Sequence, residues 1–379
     1  MIRFVCVMKL LTICIPTYKR PVTLRRCIDS VVSQIEKYDL VEDVGLCVVN
    51  DASPDDTVSV LDDYASLDFF DGVTREQNLG MNVNIKIMLS EVMRNSHYQL
   101  IITDDDYLQP DILGEIVKFL HSQQDGGHRA PAIWTPRYSY LEDGSLLCVE
   151  CNPFYGNRVV KPSVVNAGRY MRNGFILSGL ILQAEYIDYK FWEFYDENAY
   201  FPMVFFGDLV LKEGAYFWDK NIVHHTVLND CNWERWGEND TIIKLRLFGD
   251  FVNAYVVMAS RVSGYFKSAV FYCASFFSIY RRINGFLNSG LCKSGRRTLL
   301  DAVKELRMQG VLKFKSHLRF LMVLSLFLSV ISTSIKTVVC FCFSLFSYGE
   351  QRKKRYRKAS RALWEGLQSG LIVFEIILS

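Results

Sequence analysis

Short continuous apolar runs alternate with segments of helical periodicity over the first third of the chain. Leu10 to Pro16 is rich in β-formers and ends in proline, and Val22 to Gln34 follows with Leu24, Ile28, Val31 and Val32 on one helical face. Val44 to Asn50 is a second buried strand by the same criterion. It runs into Asp-Ala-Ser-Pro-Asp-Asp-Thr, which supplies turn and N-cap chemistry for a helix at Thr57 to Tyr64. A short strand at Val73 to Glu76, a helix at Asn82 to Asn95 opened by Asn-Leu-Gly, and a strand at Tyr98 to Thr103 continue the alternation. The β-α-β-α order predicts parallel pairing and an α/β class, in which ligands bind beyond the carboxyl ends of the strands. The unusual polar residues fall at those ends. A helix at Asp111 to His121 and a strand at Ala132 to Pro136 follow, then a mixed stretch with a strand at Ile176 to Gln183, a helix at Phe201 to Lys212 and a strand at Ala215 to Trp218.

From Thr241 onward strand signals fade and aromatic-rich helical stretches take over. This divides the chain into an α/β domain over residues 1–240 and a helical C-terminal region over residues 241–379. Leu318 to Tyr348 is 31 residues long with two charges, Arg319 and Lys336. That is long enough to cross a bilayer core of roughly 30 Å, or to lie in its interface as a helix pair. Gln-Arg-Lys-Lys-Arg-Tyr-Arg-Lys comes directly after it, and six cations in eight residues belong on the cytoplasmic side by the positive-inside bias. The expected location is therefore the cytoplasmic face of a membrane, with the tail as anchor; core helices of a helical subdomain are the alternative. The opening residues lack the small-residue cleavage site of a signal peptide and lead into a buried strand.

Composition changes this picture little. Lys and Arg number 43 against 41 Asp and Glu, and a net charge of +2 gives no general case for nucleic-acid binding. The 11 cysteines sit mostly inside apolar runs, as a reduced thiol in a reducing compartment does. Cys148 and Cys151 form a lone C-x-x-C without a second pair, so a zinc site is not expected.

The strongest chemical signal is Thr103-Asp104-Asp105-Asp106-Tyr107-Leu108-Gln109-Pro110-Asp111. Neighbouring carboxylates about 5 Å apart repel by about 3 kcal/mol at an effective dielectric near 20. The triplet therefore calls for solvent or a cation. Hard oxygen ligands select Mg2+ or Mn2+, which also bind phosphate. An exposed acidic turn capping the next helix is the plain alternative. Asp51 and Pro16-Thr17-Tyr18 end two neighbouring strands and would face the same crevice.

Four ordered motifs, T-I-C-I-P-T-Y-K-R, V-V-N-D-A-S-P-D-D-T, N-L-G-M-N-V-N and T-D-D-D-Y-L-Q-P-D, resemble the family 2 glycosyltransferases, inverting enzymes of GT-A fold, of the bacterial polysaccharide or O-antigen type. The resemblance covers about residues 9 to 225. It implies a Rossmann-like mixed sheet with flanking helices, a nucleotide-sugar donor, a saccharide or polyprenyl-linked acceptor, and Mg2+ or Mn2+. It places Pro16, Thr17, Tyr18 and Arg20 near the base and ribose, and Asp51 as an acceptor for the base, although Asn50 replaces the first acid of the usual D-D-x-S. Asn78 and Gly80 resemble the segment that closes over the nucleotide, with Asn84 one turn further on.

The family's D-x-D metal motif falls on Asp104 and Asp106. Aligned on the following x-L-x-P, it falls on Thr103 and Asp105 instead, with Asp104 toward the sugar. All three aspartates are therefore metal candidates, joined by His225, or its neighbour His224, as a late-motif histidine. The usual Glu-Asp base is missing at Tyr200-Phe201-Pro202-Met203, which leaves Asp196 and Glu197 as the candidates to deprotonate the acceptor. Trp233, Glu234 and Trp236 offer either a sugar-stacking platform or interdomain packing. Two other readings compete: a degenerate relative that binds nucleotide sugars without transfer, and a membrane scaffold with a regulatory α/β part.

Overall fold

The computed structural model describes residues 8–92, 95–125, 130–141, 143–150, 156–175, 177–187, 198–227 and 241–288. The chain divides into two compact units, residues 1–231 and 232–379.

The first unit opens with the predicted alternation: β1 (Lys9–Thr17), α1 (Pro21–Lys37), β2 (Val44–Asn50), α2 (Thr57–Asp62), β3 (Phe70–Thr74), α3 (Met81–Val92) and β4 (Ser96–Ile101). It continues through β5 (Tyr107–Leu108), α4 (Leu113–Asp125), β6 (Ala132–Trp134), β7 (Arg137–Leu141), β8 (Leu146–Glu150), β9 (Arg158–Val160), α5 (Val164–Tyr170), β10 (Leu180–Gln183), α6 (Phe201–Lys212), β11 (Ala215–Phe217) and β12 (Val223–Val227). The main sheet runs β3-β2-β1-β4-β10-β6-β11-β9. Its first four strands are parallel, β10 runs antiparallel to both β4 and β6, β11 pairs parallel with β6, and β9 closes the row antiparallel to β11. The result is a mixed α/β sheet with flanking helices.

β1 and β2 are buried along almost their whole length, as strands covered on both faces must be. α1 turns Leu24, Cys27, Ile28, Val31 and Ile35 into that core. Pro21 at its first turn suits a position where the missing N–H costs nothing.

A smaller sheet, β5-β12-β7-β8, has no counterpart in the sequence reading. β12 runs antiparallel to β5 and parallel to β7, and β7 and β8 form a hairpin. Two boundaries also differ from expectation. The strand expected from Ile176 begins at Leu180, because Ser178 and Gly179 form a turn in which Gly179 has φ +89°. The helix expected from Asp111 begins at Leu113, whose amide is capped by the distant Gln34 Oε1 at 2.9 Å while Asp111 itself has φ +60°.

In the second unit, α7 (Thr241–Arg261) and α8 (Tyr265–Asn288) are joined by a short turn at Gly264, with φ +96°. Tyr255 of α7 meets Phe271 of α8 at a ring separation of 6.3 Å. Among the described residues no helix is long and apolar enough to cross a membrane. The apolar segment at 318–348 and the basic run after it lie outside the described residues.

Gly174 packs against α6 so closely that an added Cβ would collide with the Phe206 side chain and approach the Pro202 carbonyl oxygen to 2.8 Å. Gly174→Ala should therefore lower stability by about 1–3 kcal/mol, the usual cost of overpacking a filled core, measured by urea unfolding. An unchanged midpoint would contradict this packing.

Candidate active site

The polar face of α1 holds the loop that follows β4. Arg26, Ser30 and Gln34 recur four residues apart and so line one side of the helix. Arg26 donates to the Asp105 carbonyl at 2.8 Å, and Ser30 Oγ accepts the Leu108 amide at 3.1 Å. The buried Gln34 donates to the Gln109 carbonyl at 3.0 Å and accepts the Leu113 amide at 2.9 Å. Lys37 and Tyr38 reach Asp111 at the end of the loop. The three aspartates at the tip of β4 are thus pinned along their backbone from one helix.

Their side chains go three ways. Asp104 is buried at the end of β1: its Oδ2 accepts from Thr17 Oγ1 at 2.7 Å and its Oδ1 from Arg20 Nη1 at 2.8 Å. Burial pushes its carboxyl up to about 6, against the pull of Arg20. Asp106 is 1% exposed; its Oδ1 accepts from His225 Nδ1 at 2.7 Å and the Thr226 amide at 3.2 Å, and its Oδ2 from Thr103 Oγ1 at 3.1 Å. The Ser178 hydroxyl adds a further donor. Burial would raise the Asp106 carboxyl, but His225, Ser178 and Arg137 outweigh it and hold the group below its ordinary value. Asp105 differs from both: its carboxylate is about a quarter exposed and meets Arg20 Nη1 at 2.7 Å.

β12 brings the two histidines to opposite faces, as adjacent strand residues must lie. His225 faces the acids, with Arg137 of β7 against its Nε2. A guanidinium can only donate, so Nε2 accepts and Nδ1 carries the proton given to Asp106. His224 lies on the other face, sandwiched between Tyr107 at 4.3 Å and Tyr140 at 3.9 Å, with the Arg26 guanidinium 4.7 Å from the Tyr107 ring centre. Burial, with Arg26 nearby, lowers the His224 imidazole below its usual value.

At the end of β2, two strands from β4, Asp51 is buried and binds the loop before α3. Its two carboxylate oxygens accept the Leu79 and Gly80 amides at 2.8 and 2.9 Å. Gly80 takes φ +82°, and its amide also meets Asn78 Oδ1 at 3.0 Å. The buried Asn50 accepts the Ser53 amide at 3.0 Å, which shapes the turn after β2. Asn84 bonds the Val49 carbonyl at 3.2 Å and receives Arg75 at 3.2 Å.

An acid-bearing β4 tip beside the ends of β1 and β2, at the parallel half of a mixed sheet, coincides with a family match: residues 12–130 fit the model of Glycosyl transferase family 2. The match covers about a third of the chain, and over that stretch the protein is similar to the family 2 glycosyltransferases. Abequosyltransferase RfbV of Salmonella typhimurium is 30% identical over 116 residues, covering 31% of this chain and 34% of that protein. The matched stretch thus spans about a third of that relative's length. Among solved structures, the crystal structure of S. aureus TarS 1–349 has a TM-score of 0.49 at 14% identity, covering 79% of this chain and 92% of that one. Mannosyltransferase PcManGT from Pyrobaculum calidifontis, in complex with GDP-Man and Mn2+, has a TM-score of 0.41 at 12% identity, covering 96% and 87%.

The matched segment brings Thr17, Arg20, Asp104, Asp105 and Asp106 together, and His225 joins from outside it. Of the four expected metal ligands, Asp104, Asp106 and His225 are engaged by protein partners in this structure. Both oxygens of Asp104 and of Asp106 accept from protein donors, and His225 Nε2 faces Arg137. Among the described residues no three His, Cys, Asp or Glu side chains form a ready metal cage. Asp105, paired with Arg20, is the most exposed acid of the three.

Thr17 and Arg20 hold Asp104 here, Pro16 is buried in β1 opposite Val49, and Tyr18 is exposed beside them. Asp51, expected to accept from a base, accepts the Leu79 and Gly80 amides in this structure. Asp196, Glu197, Trp233, Glu234 and Trp236 lie outside the described residues. Sequence reasoning missed Arg26, Ser30, Gln34, Arg137, Ser178 and Thr226, of which the first three were signalled by their four-residue spacing.

The raised Asp104 carboxyl gives a signed expectation. The folded protein binds this proton more tightly than a free aspartate of 3.8, so its contribution favours folding at low pH and is lost as pH rises through about 6. The stability of wild type minus that of Asp104→Asn should therefore shrink between pH 4 and 6 and level off above about 7. Thermal unfolding across that range measures it; a gap that widens with pH would contradict the assignment.

Proposed function

We propose that this protein transfers a sugar from a nucleoside-diphosphate donor to a saccharide or polyprenyl-linked acceptor, with inversion, in cell-surface polysaccharide synthesis. The observation that carries the reading is one open carboxylate, Asp105, at the tip of β4 in a family 2 domain, backed by two acids that are buried and hydrogen-bonded. The matching stretch of a protein named as a sugar transferase supports it.

The donor set around Asp105 fits Mg2+ or Mn2+, because such ions are held by one or two carboxylates together with substrate phosphates rather than by all-protein cages. Such an ion supplies positive charge where the departing diphosphate gathers negative charge. Arg20 and Arg26 contribute fixed positive charge at the same tip, and Arg137 does so beside His225. Inversion needs a base on the acceptor hydroxyl. Asp196 and Glu197 remain the candidates, and their neighbour Asn198 is tied to the first turn of α3 by Asn82, 3.0 Å from its carbonyl. A relative that binds donors without transfer is favoured by one observation, Tyr200-Phe201-Pro202-Met203 in place of the family's acid pair.

The full chain, incubated with Mn2+ and a panel of nucleotide sugars, should release nucleoside diphosphate from at least one. Asp105→Ala should lower kcat/KM by about 100-fold or more with its unfolding midpoint kept, as losing a charge-stabilising group does. Binding without turnover would favour the non-catalytic reading, and neither binding nor turnover of any nucleotide sugar would end both.

We also propose that the protein works at the cytoplasmic face of a membrane, on the strength of the apolar run at 318–348 and the six cations after it. Removing residues 318–379 should move it from the membrane to the soluble fraction; unchanged fractionation would contradict this.

A further inference from the structure

Asp104 and Asp105 are consecutive carboxylates, and the same nitrogen serves both. Arg20 Nη1 stands 2.8 Å from Asp104 Oδ1 and 2.7 Å from Asp105 Oδ2. A single positive centre bridging two acids occupies the position a cation takes between paired carboxylates. The two acids are not equivalent. Asp104 has other donors, Thr17 Oγ1 at 2.7 Å among them, and is buried. Asp105 is about a quarter exposed and the Arg20 side chain about a third, so the contact between them lies at the solvent edge of the cluster.

Charge points the same way. Three carboxylates, Asp104, Asp105 and Asp106, are set against three guanidiniums that contact or face them, those of Arg20, Arg26 and Arg137. The cluster is balanced as it stands. A dication arriving alone would leave it with two excess positive charges, and a diphosphate alone with two excess negative ones. The two together restore balance, and Arg20, freed from Asp105, is a planar donor suited to phosphate oxygens.

We propose that Arg20 is the resident counter-ion of the acid site, and that it passes from Asp105 to the donor's diphosphate when metal and donor bind together. This inference rests on the donor-binding reading above. Arg20 is thereby a positioning residue that keeps Asp105 from capturing a divalent ion before the donor arrives.

The test is Mn2+ binding to the full chain, followed by electron paramagnetic resonance, with no nucleotide and then with UDP or GDP. Without nucleotide, Arg20→Gln should bind Mn2+ about tenfold or more tightly than wild type, since one positive charge has left the site. Arg20→Lys, which keeps the charge, should stay weak. With Mn2+ present, Arg20→Gln should bind the nucleoside diphosphate about tenfold less well than wild type. If Arg20→Gln and wild type bind Mn2+ alone equally, while wild type still binds a nucleoside diphosphate with Mn2+, the counter-ion role is wrong and the donor-binding reading survives. If wild type binds no nucleoside diphosphate with Mn2+, both fall.

Discussion

The site depends on one constraint: three consecutive carboxylates must be held at the tip of a strand without being driven apart by their own repulsion. α1 meets it from the outside. Its apolar stripe, with Leu24, Ile28, Val31 and Ile35, is locked against the parallel sheet, so its opposite edge is a fixed ruler. Arg26, Ser30 and Gln34 on that edge grip the backbone at Asp105, Leu108, Gln109 and Leu113. The buried Gln34 is the most demanding of these contacts, because its amide has left water and must be satisfied by the loop it holds.

With the backbone fixed, the three acids separate into different tasks. A buried carboxylate is tolerable only when donors replace the water it has lost. Asp104 finds them in Thr17 and Arg20 at the end of β1, and Asp106 in His225, Thr226, Thr103 and Ser178. Each inward acid ties β4 to a different part of the unit, one to the parallel sheet and the other to the small β5-β12-β7-β8 sheet. Asp105 is joined to neither sheet, pairs with Arg20 and is the most exposed of the three. Asp51 repeats the theme two strands over, spending its carboxylate on the Leu79 and Gly80 amides and so fixing the entrance to α3.

The parallel half of the fold was legible because its strands are continuous apolar runs and its helices carry clear stripes; residues 9–101 follow the expected order with ends shifted by a few positions. The acid triplet was legible as a site because it ends a strand in an α/β alternation. Its internal division was not. Nothing local distinguishes Asp104, Asp105 and Asp106, and what separates them lies far along the chain, at Thr17, Ser178 and His225. The small sheet was hidden for a similar reason: β5 is two residues long, and β12 pairs with strands more than 80 positions away, so no periodicity reports it. His224 and His225 looked alike as a pair, yet strand alternation gives one an aromatic sandwich and the other a carboxylate.

The central claim, that Asp105 meets the ligand while Asp106 holds the site together, is tested most directly by the unfolding temperatures of Asp105→Asn and Asp106→Asn, with and without Mn2+ and a nucleoside diphosphate. Asp105→Asn should unfold where wild type does when nothing is bound, and should lose the rise that the added ligands give wild type. Asp106→Asn should already unfold at a lower temperature without them. The reverse result, a stable Asp106→Asn protein and an unstable Asp105→Asn protein that still responds to the ligands, would contradict the account.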